Sequence, residues 1–244
     1  MLGIVDRIMI KLNNQGPEYN DQDFIIKKYL SKRLNTKQSN KIFWVCFVPR
    51  RTSLQIIRMF NLVPRKSDIL VYRVPDAFLA SSPKITEKAF MKLKKDFEKE
   101  YDKLNLVDSK ISFLAISVGA MPAFYFANKL KCEKLVSVCP TDKLGDGIFN
   151  ALAAEKIRKK VIENGHSAYT YDEYIKKINP ASNLKNLPNN VEIYLAKFDK
   201  FIPFYGGERL VRNIKKYKKK VVVKKFNFLG HFMAIIMFGL LNKD

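Results

Sequence analysis

The chain has 244 residues, 47% of them apolar, and its 45 basic and 23 acidic residues give a formal net charge of +22. This apolar fraction, with 18 Phe and 11 Tyr, excludes a disordered, collagen-like or low-complexity chain and fits one large domain with a buried core. The charge alone does not indicate nucleic-acid binding, because only ten of the basic residues are Arg, which phosphate and base recognition favours.

The lysines are spread over nearly every segment, so we interpret the charge as a solvated basic surface. We expect no specific nucleic-acid partner, although this surface would suit peripheral contact with an anionic surface. The three cysteines lack metal-ligand spacing and are expected to be reduced thiols. Asp6 and Arg7 interrupt the apolar N-terminal stretch, which makes it a poor match to a signal peptide. The longest uncharged apolar run, residues 232–241, is too short to span a bilayer. These features predict a soluble, cytoplasmic protein.

From residue 41 onward, short runs of β-branched and aromatic residues alternate with longer amphipathic stretches. This alternation predicts an α/β fold, with a mostly parallel central sheet and helices on both of its faces. Strands covered on both faces are near-continuous apolar runs, and six such core strands are predicted, at residues 41–48, 68–74, 110–116, 134–139, 191–198 and 221–226. Residues 1–12 and 24–29 are predicted to supply one or two antiparallel edge strands.

The clearest helix is predicted over residues 84–104, where Phe90, Leu93 and Phe97 recur at spacings of three and four. Ser82 and Pro83, before this stretch, match an N-cap and a first-turn proline. Further helices are predicted at 53–61, 119–130 and 206–219, and after His231.

Residues 141–190 contain no convincing strand. They are predicted to form a helix over 149–163, closed by Asn164 and Gly165, then a short helix over 171–178 and a proline-containing loop. A helical insertion of this size between two core strands is where a lid or cap would lie. We therefore expect a single domain over 1–244, with a helical lid or cap at 141–190 within it.

A serine lies at the junction between the predicted strand at 110–116 and the next helix. The segment Ala115-Ile-Ser117-Val-Gly119 has a small residue two positions before the serine and a glycine two positions after it. A nucleophile elbow needs this pattern, because its tight turn strains the serine backbone and crowds its neighbours. Ser117 is therefore the candidate nucleophile, and the N–H of Val118, at a helix N-terminus, is a candidate oxyanion donor.

A serine hydroxyl is a weak nucleophile and needs a base, and the chain has two histidines. His166 follows a predicted helix end in the insertion, where a solvated role is expected. His231 follows the last predicted strand and is the candidate base.

The carboxylate that orients the base is assigned to Asp199, which follows the strand at 191–198, and Asp142, after the preceding strand, is the alternative. Ser117, Asp199 and His231 are all expected beyond the carboxyl ends of parallel strands, where sites form in open α/β sheets. Their order along the chain, Ser, Asp and then His, is the order found in one fold among the convergent triads.

The segments around these residues resemble the α/β-hydrolase superfamily over about residues 41–244. The matching pieces are Ala-Ile-Ser117-Val-Gly, Ala-Lys-Phe-Asp199-Lys-Phe-Ile-Pro and Leu-Gly-His231-Phe, supported by residues 179–188. The resemblance implies the α/β-hydrolase fold, and the chain length suits an eight-stranded core with a fifty-residue lid. It also implies that Ser117 is acylated by an ester-like substrate, that His231 transfers the proton and then activates water, and that Asp199 fixes the His231 tautomer.

The chain departs from the family pattern after its first core strand. The family has His-Gly or a glycine-rich loop there, and a backbone N–H of that loop supplies the second oxyanion donor. This chain has Val-Pro49-Arg50-Arg51-Thr, so the donor is expected from Arg50 or Arg51, because Pro49 has no N–H. Loss of one oxyanion donor costs on the order of a hundredfold to a thousandfold in rate.

The predicted function is a serine hydrolase of the carboxylesterase, lipase or thioesterase type, acting on a small-molecule substrate with a small to medium acyl group. Four aromatic side chains are candidates for an apolar acyl pocket: Phe78, Phe149, Phe201 and Phe204. No metal and no cofactor are implied. Acyl transfer to another acceptor and C–C bond cleavage remain open, as does the oligomeric state.

A second hypothesis is a non-catalytic binding protein on the same scaffold, motivated by the missing glycine-rich loop and the basic excess. It predicts no ester turnover and salt-dependent binding to an anionic partner, because released counterions make such binding weaken as salt rises.

Overall fold

The described strands of the chain form one sheet. A computed structural model describes residues 26–31, 42–106, 110–217 and 220–242. Within these ranges there are seven strands: β1 Lys27–Ser31, β2 Ile42–Pro49, β3 Asp68–Val74, β4 Lys110–Ile116, β5 Lys134–Val138, β6 Asn190–Ala196 and β7 Val221–Phe226. Their order across the sheet is β1-β3-β2-β4-β5-β6-β7.

β1 pairs with β3 in the antiparallel sense, and the other five pairings are parallel. The predicted mostly parallel sheet is therefore confirmed. The six predicted core strands are all present, with ends that differ by at most two residues, and the strand expected near residues 24–29 is the antiparallel edge strand β1. The edge strand predicted at residues 1–12 lies outside the described residues.

The described ranges contain eight α-helices, of which the last follows the last strand. They are α1 Leu54–Met59, α2 Pro83–Lys103, α3 Ala120–Lys129, α4 Leu144–Asn150, α5 Glu155–Glu163, α6 Ala168–Tyr174, α7 Phe204–Tyr217 and α8 His231–Leu241. Helix α2 begins at the expected proline, although the side chain of Ser82 makes no capping hydrogen bond. None of the helices in these ranges combines the length and apolar character needed to cross a membrane.

Strand β2 shows how the sheet separates two apolar layers. Its residues alternate between the faces, so that Phe47 belongs to a larger layer with α2, α3 and α7, and Cys46 belongs to a smaller layer with α1 and α8. In the larger layer, the ring centroid of Phe47 lies 5.8 Å from that of Phe97 and 5.7 Å from that of Phe126. Both faces of the five inner strands, β2 to β6, are largely buried, as the continuous apolar runs predict, whereas the edge strands β1 and β7 contain no fully buried residue.

The insertion between β5 and β6 is helical, but its first part differs from the prediction. The single helix expected over 149–163 is two helices, α4 and α5, with a 3₁₀ turn at Leu152–Ala154 between them. The break occurs because Ala153 leaves the helical path and donates its N–H to the carbonyl of Lys200, after β6, at 3.1 Å. The sequence pattern of residues 149–163 alone cannot predict this contact, because Lys200 lies far outside that segment.

The end of α5 follows the sequence signal. Gly165 has a φ of 76°, in the left-handed region, and its N–H donates to Ile162 while the N–H of His166 donates to Val161. Glycine adopts this conformation without steric cost, so Asn164-Gly165 closes the helix as expected. The short helix expected over 171–178 begins earlier, as α6, and is followed by a 3₁₀ turn at Lys176–Ile178. That the insertion acts as a lid stays a prediction, as does the single domain over 1–244.

Candidate active site

Three predicted site residues lie at the same edge of the sheet. Ser117 directly follows β4, Asp199 lies three residues beyond β6, and His231 is the first residue of α8, after β7. Strands β4 to β7 are neighbours in the sheet and run parallel. Their carboxyl ends therefore meet at one edge, where ligands bind in open α/β sheets.

The backbone at Ser117 is in the left-handed region, with a φ of 55°. Ser117–Gly119 form one 3₁₀ turn between β4 and α3. Gly119 packs against β2, and a Cβ atom at this position would lie 2.0 Å from the carbonyl oxygen of Phe47. The turn thus requires glycine at 119, and it holds the serine in a conformation that costs about 1–3 kcal/mol.

Asp199 and His231 form a buried hydrogen-bonded pair. The distance from His231 Nδ1 to Asp199 Oδ2 is 2.6 Å, and the side chains are only 4% and 2% exposed. Asp199 Oδ1 accepts hydrogen bonds from the backbone N–H groups of Phe201 and Ile202, both at 2.8 Å. The carboxylate is therefore fixed by the backbone after β6, and it occupies Nδ1, so that Nε2 is the ring nitrogen left for proton transfer.

The segment after β2, where the sequence lacks glycine, forms a tight turn. Its closing hydrogen bond runs from the N–H of Thr52 to the carbonyl of Pro49 at 2.9 Å, and Arg73 Nε donates to the carbonyl of Thr52 at 2.8 Å. Arg50 Nη1 forms an ion pair with Asp76 Oδ2. The turn is thus anchored to β3 and to the segment after it, which holds both predicted arginines at the site.

A cavity of about 670 Å³ opens at this edge of the sheet, and Ser117 and His231 both line it. Val118, Arg50 and Arg51 line it as well, so the candidate nucleophile, base and oxyanion donors share one space. Most of its other lining residues are apolar, which is typical of a small-molecule site with few polar groups.

No protein-family model and no curated protein matches this chain. Solved structures do match it. An acylaminoacyl peptidase from Pyrococcus horikoshii superposes with a TM-score of 0.62 at 13% identity, covering 93% of this chain. The chain has the α/β-hydrolase fold.

Other solved structures share this fold with similar TM-scores and sequence identities. A puromycin-hydrolyzing peptidase from Mycobacterium tuberculosis has a TM-score of 0.60 at 13% identity over 88% of this chain. A Staphylococcus aureus protein of unknown function has a TM-score of 0.54 at 15% identity, covering 88% of this chain and 92% of its own. The chain spans only 42% and 36% of the lengths of the two peptidases.

Asp142, the alternative acid of this α/β-hydrolase fold, pairs with an arginine and not with His231. Arg209 on α7 donates from Nε and Nη2 to the two carboxylate oxygens of Asp142, both at 2.9 Å. Arg209 also pairs with Asp146 on α4, and these carboxylates raise the pKa of its guanidinium. Asp142 thus links the insertion to α7, while Asp199 contacts the imidazole of His231.

Of the four aromatic residues predicted to line a pocket, the cavity lining includes Phe201 but not the others. Phe78 is fully buried and packs on Phe90 of α2, with 6.1 Å between ring centroids. Phe149 packs against the larger core layer, and the ring of Phe204 lies 5.6 Å from the ammonium of a lysine on β7. Aromatic character near a site does not distinguish a core position from a lining position.

Much of the apolar lining comes instead from helix residues that the sequence did not indicate as pocket residues. Ile148 on α4 and Ile157 on α5 supply the insertion's part, and Phe232 and Ile235 on α8 supply the opposite part. Their positions in the sequence could have indicated them as pocket residues. Helices α4 and α5 are the next helices after β5, and Phe232 and Ile235 follow the candidate base by one and four residues.

Cys139 is a further residue at the site that the sequence did not indicate. It follows β5 with a φ of 52°, and its sulfur lies within 4.8 Å of ligand atoms of both Asp199 and His231. In the described part of the chain these three side chains form a group whose atoms could hold a metal ion. Any metal there would have to displace the 2.6 Å hydrogen bond between Asp199 and His231.

Proposed function

We propose that this chain is a serine hydrolase that cleaves an ester or thioester of a small to medium acyl group. The observation that carries the proposal is the 2.6 Å contact between His231 Nδ1 and Asp199, with His231 and the strained Ser117 lining one apolar cavity. A nucleophile, a base and an orienting carboxylate in these positions suit acyl transfer.

In the proposed reaction, Ser117 Oγ attacks the substrate carbonyl carbon while Nε2 of His231 takes the hydroxyl proton. Asp199 stabilises the imidazolium that forms. The oxyanion accepts hydrogen bonds from the N–H of Val118 and from an N–H of Arg50 or Arg51. His231 then returns the proton to the leaving oxygen or sulfur, and an acyl-enzyme on Ser117 remains.

Water completes the cycle. His231 removes a proton from the water as it attacks the acyl-enzyme, the second tetrahedral intermediate collapses, and Ser117 Oγ recovers its proton from the imidazolium. The products are the carboxylic acid and the free alcohol or thiol.

Labelling with a fluorophosphonate tests the proposal. Native protein should form a covalent adduct, and Ser117→Ala should remove it. Ser112→Ala is the matched control, because Ser112 lies on β4, the strand that leads into Ser117, is 2% exposed and does not line the cavity. Folded wild-type protein that never reacts, or an equally strong adduct in Ser117→Ala, would overturn the assignment.

The named activities of the structural neighbours motivate a second reaction at the same site. An acylaminoacyl peptidase and a puromycin-hydrolyzing peptidase share the fold. Amide cleavage would use the same groups, with His231 protonating a leaving amine. Comparing p-nitrophenyl butyrate with butyryl p-nitroanilide separates the two, and we expect the ester to be the faster substrate.

The proposal of a non-catalytic binding protein rests on the turn at 49–52, which has arginines where the fold's hydrolases have glycine. It predicts that the native protein binds heparin at low salt and neither reacts with the fluorophosphonate nor turns over p-nitrophenyl butyrate. A Ser117-dependent adduct would exclude it.

A further inference from the structure

Helix α8 is apolar on every side. After His231, its sequence through Leu241 contains only apolar residues. Helices of this composition are normally buried all round, whereas a helix on the surface of a water-soluble protein has polar residues on its outer side. What surrounds α8 in the fold therefore decides whether packing explains its composition.

One side of α8 packs tightly against the sheet and α1. Ala234 and Phe238 are buried in the smaller apolar layer, and the ring centroid of Phe238 lies 4.7 Å from that of Tyr194 on β6. Gly239 packs so closely that a Cβ atom there would lie 1.9 Å from the carbonyl oxygen of Phe60. Packing thus explains the apolar residues on this side of the helix.

The opposite side of α8 is exposed. Met233, Leu240 and Leu241 are 41%, 47% and 51% exposed, and Met237 is half-buried. These four residues recur at spacings of three and four, so they lie on one side of the helix, which we call the outer face of α8. Packing within the described part of the fold does not explain why this face is apolar.

The outer face borders the cavity of the candidate active site. Phe232 and Ile236, one helical turn apart, line the cavity and directly precede Met233 and Met237. Phe228, in the loop that leads into α8, is 89% exposed and adds an apolar side chain before the start of the helix. An exposed apolar surface that is continuous with a cavity wall indicates an interaction site.

The elements on this side of the sheet are basic. Residues 54–67, which include α1, and residues 220–242, which include β7 and α8, contain six lysines and arginines and no aspartate or glutamate. Helix α2, on the other side of the sheet, has five acidic residues beside its seven lysines. Positive charge without local acidic residues favours an anionic partner for the outer face.

Two of these cations lie beside α8. On β7, the ammonium of Lys224 lies 5.6 Å from the ring centroid of Tyr194, which also packs on α8. Near the end of α8, Arg65 donates from Nε to Asn61 Oδ1 at 2.7 Å, and the carbonyl of Asn61 accepts a hydrogen bond from Asn242, the residue after α8, at 3.3 Å. Lys224 and Arg65 are both exposed. An apolar face with lysine and arginine beside it is the arrangement by which peripheral proteins bind anionic lipid surfaces.

We propose that the outer face of α8 docks on an anionic phospholipid bilayer. Met233, Leu240 and Leu241 enter the boundary between headgroups and acyl chains, and Arg65 and Lys224 contact the anionic headgroups. A bilayer fits better than a second copy of the chain, because two copies would bring like charges together. Docking places the cavity next to the lipid surface, and it does not depend on the proposed hydrolysis.

Flotation with phospholipid vesicles at low salt tests the proposal. We expect at least tenfold tighter binding to vesicles of phosphatidylcholine mixed with phosphatidylserine than to phosphatidylcholine alone, and this binding should weaken as salt rises. Ser117→Ala should bind like the wild type, so failure of the hydrolase proposal leaves this one standing. No binding, or equal binding to both kinds of vesicle, would overturn the proposal without reference to any variant.

Variants of the outer face test the apolar contact. Met233→Gln with Leu240→Gln should weaken binding to the anionic vesicles at least tenfold, because less apolar surface enters the bilayer. Met91→Gln with Ile162→Gln is the matched control, since these side chains, on α2 and α5, are 51% and 55% exposed. Equal binding by the two double variants would overturn the assignment to α8.

Variants of the flanking cations test the charge. Arg65→Gln with Lys224→Gln should lower the affinity for anionic vesicles about tenfold. Lys92→Gln with Lys95→Gln, at exposed positions of α2, should have little effect. An equal loss in both would show that total charge alone governs binding and would overturn the proposed orientation.

Light scattering after size-exclusion chromatography tests the competing occupant, a second copy of the chain. We expect the wild type and Met233→Gln with Leu240→Gln to have the same mass in the absence of vesicles. A wild-type dimer that this double variant converts to a monomer would assign the outer face to a contact between copies and overturn the bilayer proposal.

Discussion

The two oxygens of the Asp199 carboxylate have separate roles. Oδ1 accepts two backbone N–H groups from the turn that follows β6, and Oδ2 contacts His231. The backbone contacts hold the carboxylate in place independently of the imidazole. The orientation of His231 therefore depends on a local turn of the chain, Asp199 to Ile202, in addition to the packing of α8.

Replacement of Asp199 tests this role. Asp199→Asn keeps the side-chain volume but presents an amide that favours the wrong imidazole tautomer, and such changes cost on the order of 10⁴ in kcat in serine proteases. We expect a loss of 10³ or more on p-nitrophenyl butyrate, with little change in melting temperature. Asp142→Asn, which weakens the pair with Arg209, should instead lower the melting temperature and retain most of the activity. A similar kcat in both variants would contradict the assignment.

A second prediction concerns the glycine of the elbow. Gly119→Ala places a Cβ atom 2.0 Å from the carbonyl oxygen of Phe47, so β2 and the elbow must separate. We expect a loss of about 1–3 kcal/mol in the free energy of unfolding by urea, together with a loss of activity. Gly147→Ala in α4 is the control, because its Cβ atom would meet Thr141 at an ordinary 3.4 Å. Equal stabilities for the two variants would contradict this account of the elbow.

A buried carboxylate, that of Asp172, connects two helices of the insertion, α4 and α6. Asp172 on α6 accepts the N–H groups of Gly145 at 2.7 Å and Asp146 at 2.9 Å, at the start of α4, and Asn179 Nδ2 donates to it at 3.1 Å. Burial raises the pKa of Asp172 above its ordinary value, although these hydrogen bonds oppose the rise. The helices α4 and α6 are therefore joined as one unit.

The same unit is attached to the rest of the fold by Tyr171. Its hydroxyl donates to the carbonyl of Ala80 at 2.8 Å and lies 2.7 Å from Thr86 Oγ1 on α2, and the side chain is fully buried. Tyr171→Phe should lower the free energy of unfolding by about 1–3 kcal/mol, because it leaves a buried carbonyl without its donor. It should also speed amide hydrogen exchange in α6. Tyr169→Phe, at a position 72% exposed, should have no such effect, and exchange equally fast in both variants would contradict the role of Tyr171.

Strand and helix positions could largely be predicted from local patterns. The strands Asp68–Val74 and Lys110–Ile116 match their predicted ranges, because a strand covered on both faces is recorded in its own sequence as an apolar run. The break between α4 and α5 could not be predicted in this way, because it depends on the hydrogen bond from the N–H of Ala153 to the carbonyl of Lys200, which follows β6. The periodicity of a segment predicts which of its residues are buried, but it does not predict which distant part of the backbone the segment contacts.

At the scale of the whole molecule, the order of the strands accounts for what could be predicted of the site. Each of Ser117, Asp199 and His231 follows a strand, so a parallel sheet was enough to expect them at one edge. The walls of the cavity come from helices of the insertion and from α8, whose relative placement the strand order does not determine. For that reason the sequence predicts Phe78 in the pocket, although the structure buries it fully in the core.

The net charge of +22 has a consequence for the stability of the whole protein. Like charges over the surface repel one another in the compact state, and added salt screens that repulsion. We expect the melting temperature to rise when sodium chloride is increased from about 20 to 300 mM, where the Debye length falls well below 10 Å. A melting temperature that is constant or falls over this range would contradict net repulsion.

The strand β7 gives part of this charge a local role. It is the outermost of the described strands at its end of the sheet, and Lys224 and Lys225 lie within its sequence Val221–Phe226. An exposed strand edge is a template on which another chain can add a strand, and lysines there oppose such addition. We therefore expect these two lysines to oppose strand addition at this edge, and replacing them with valine should make the molecule prone to form sheets that continue from one copy to the next.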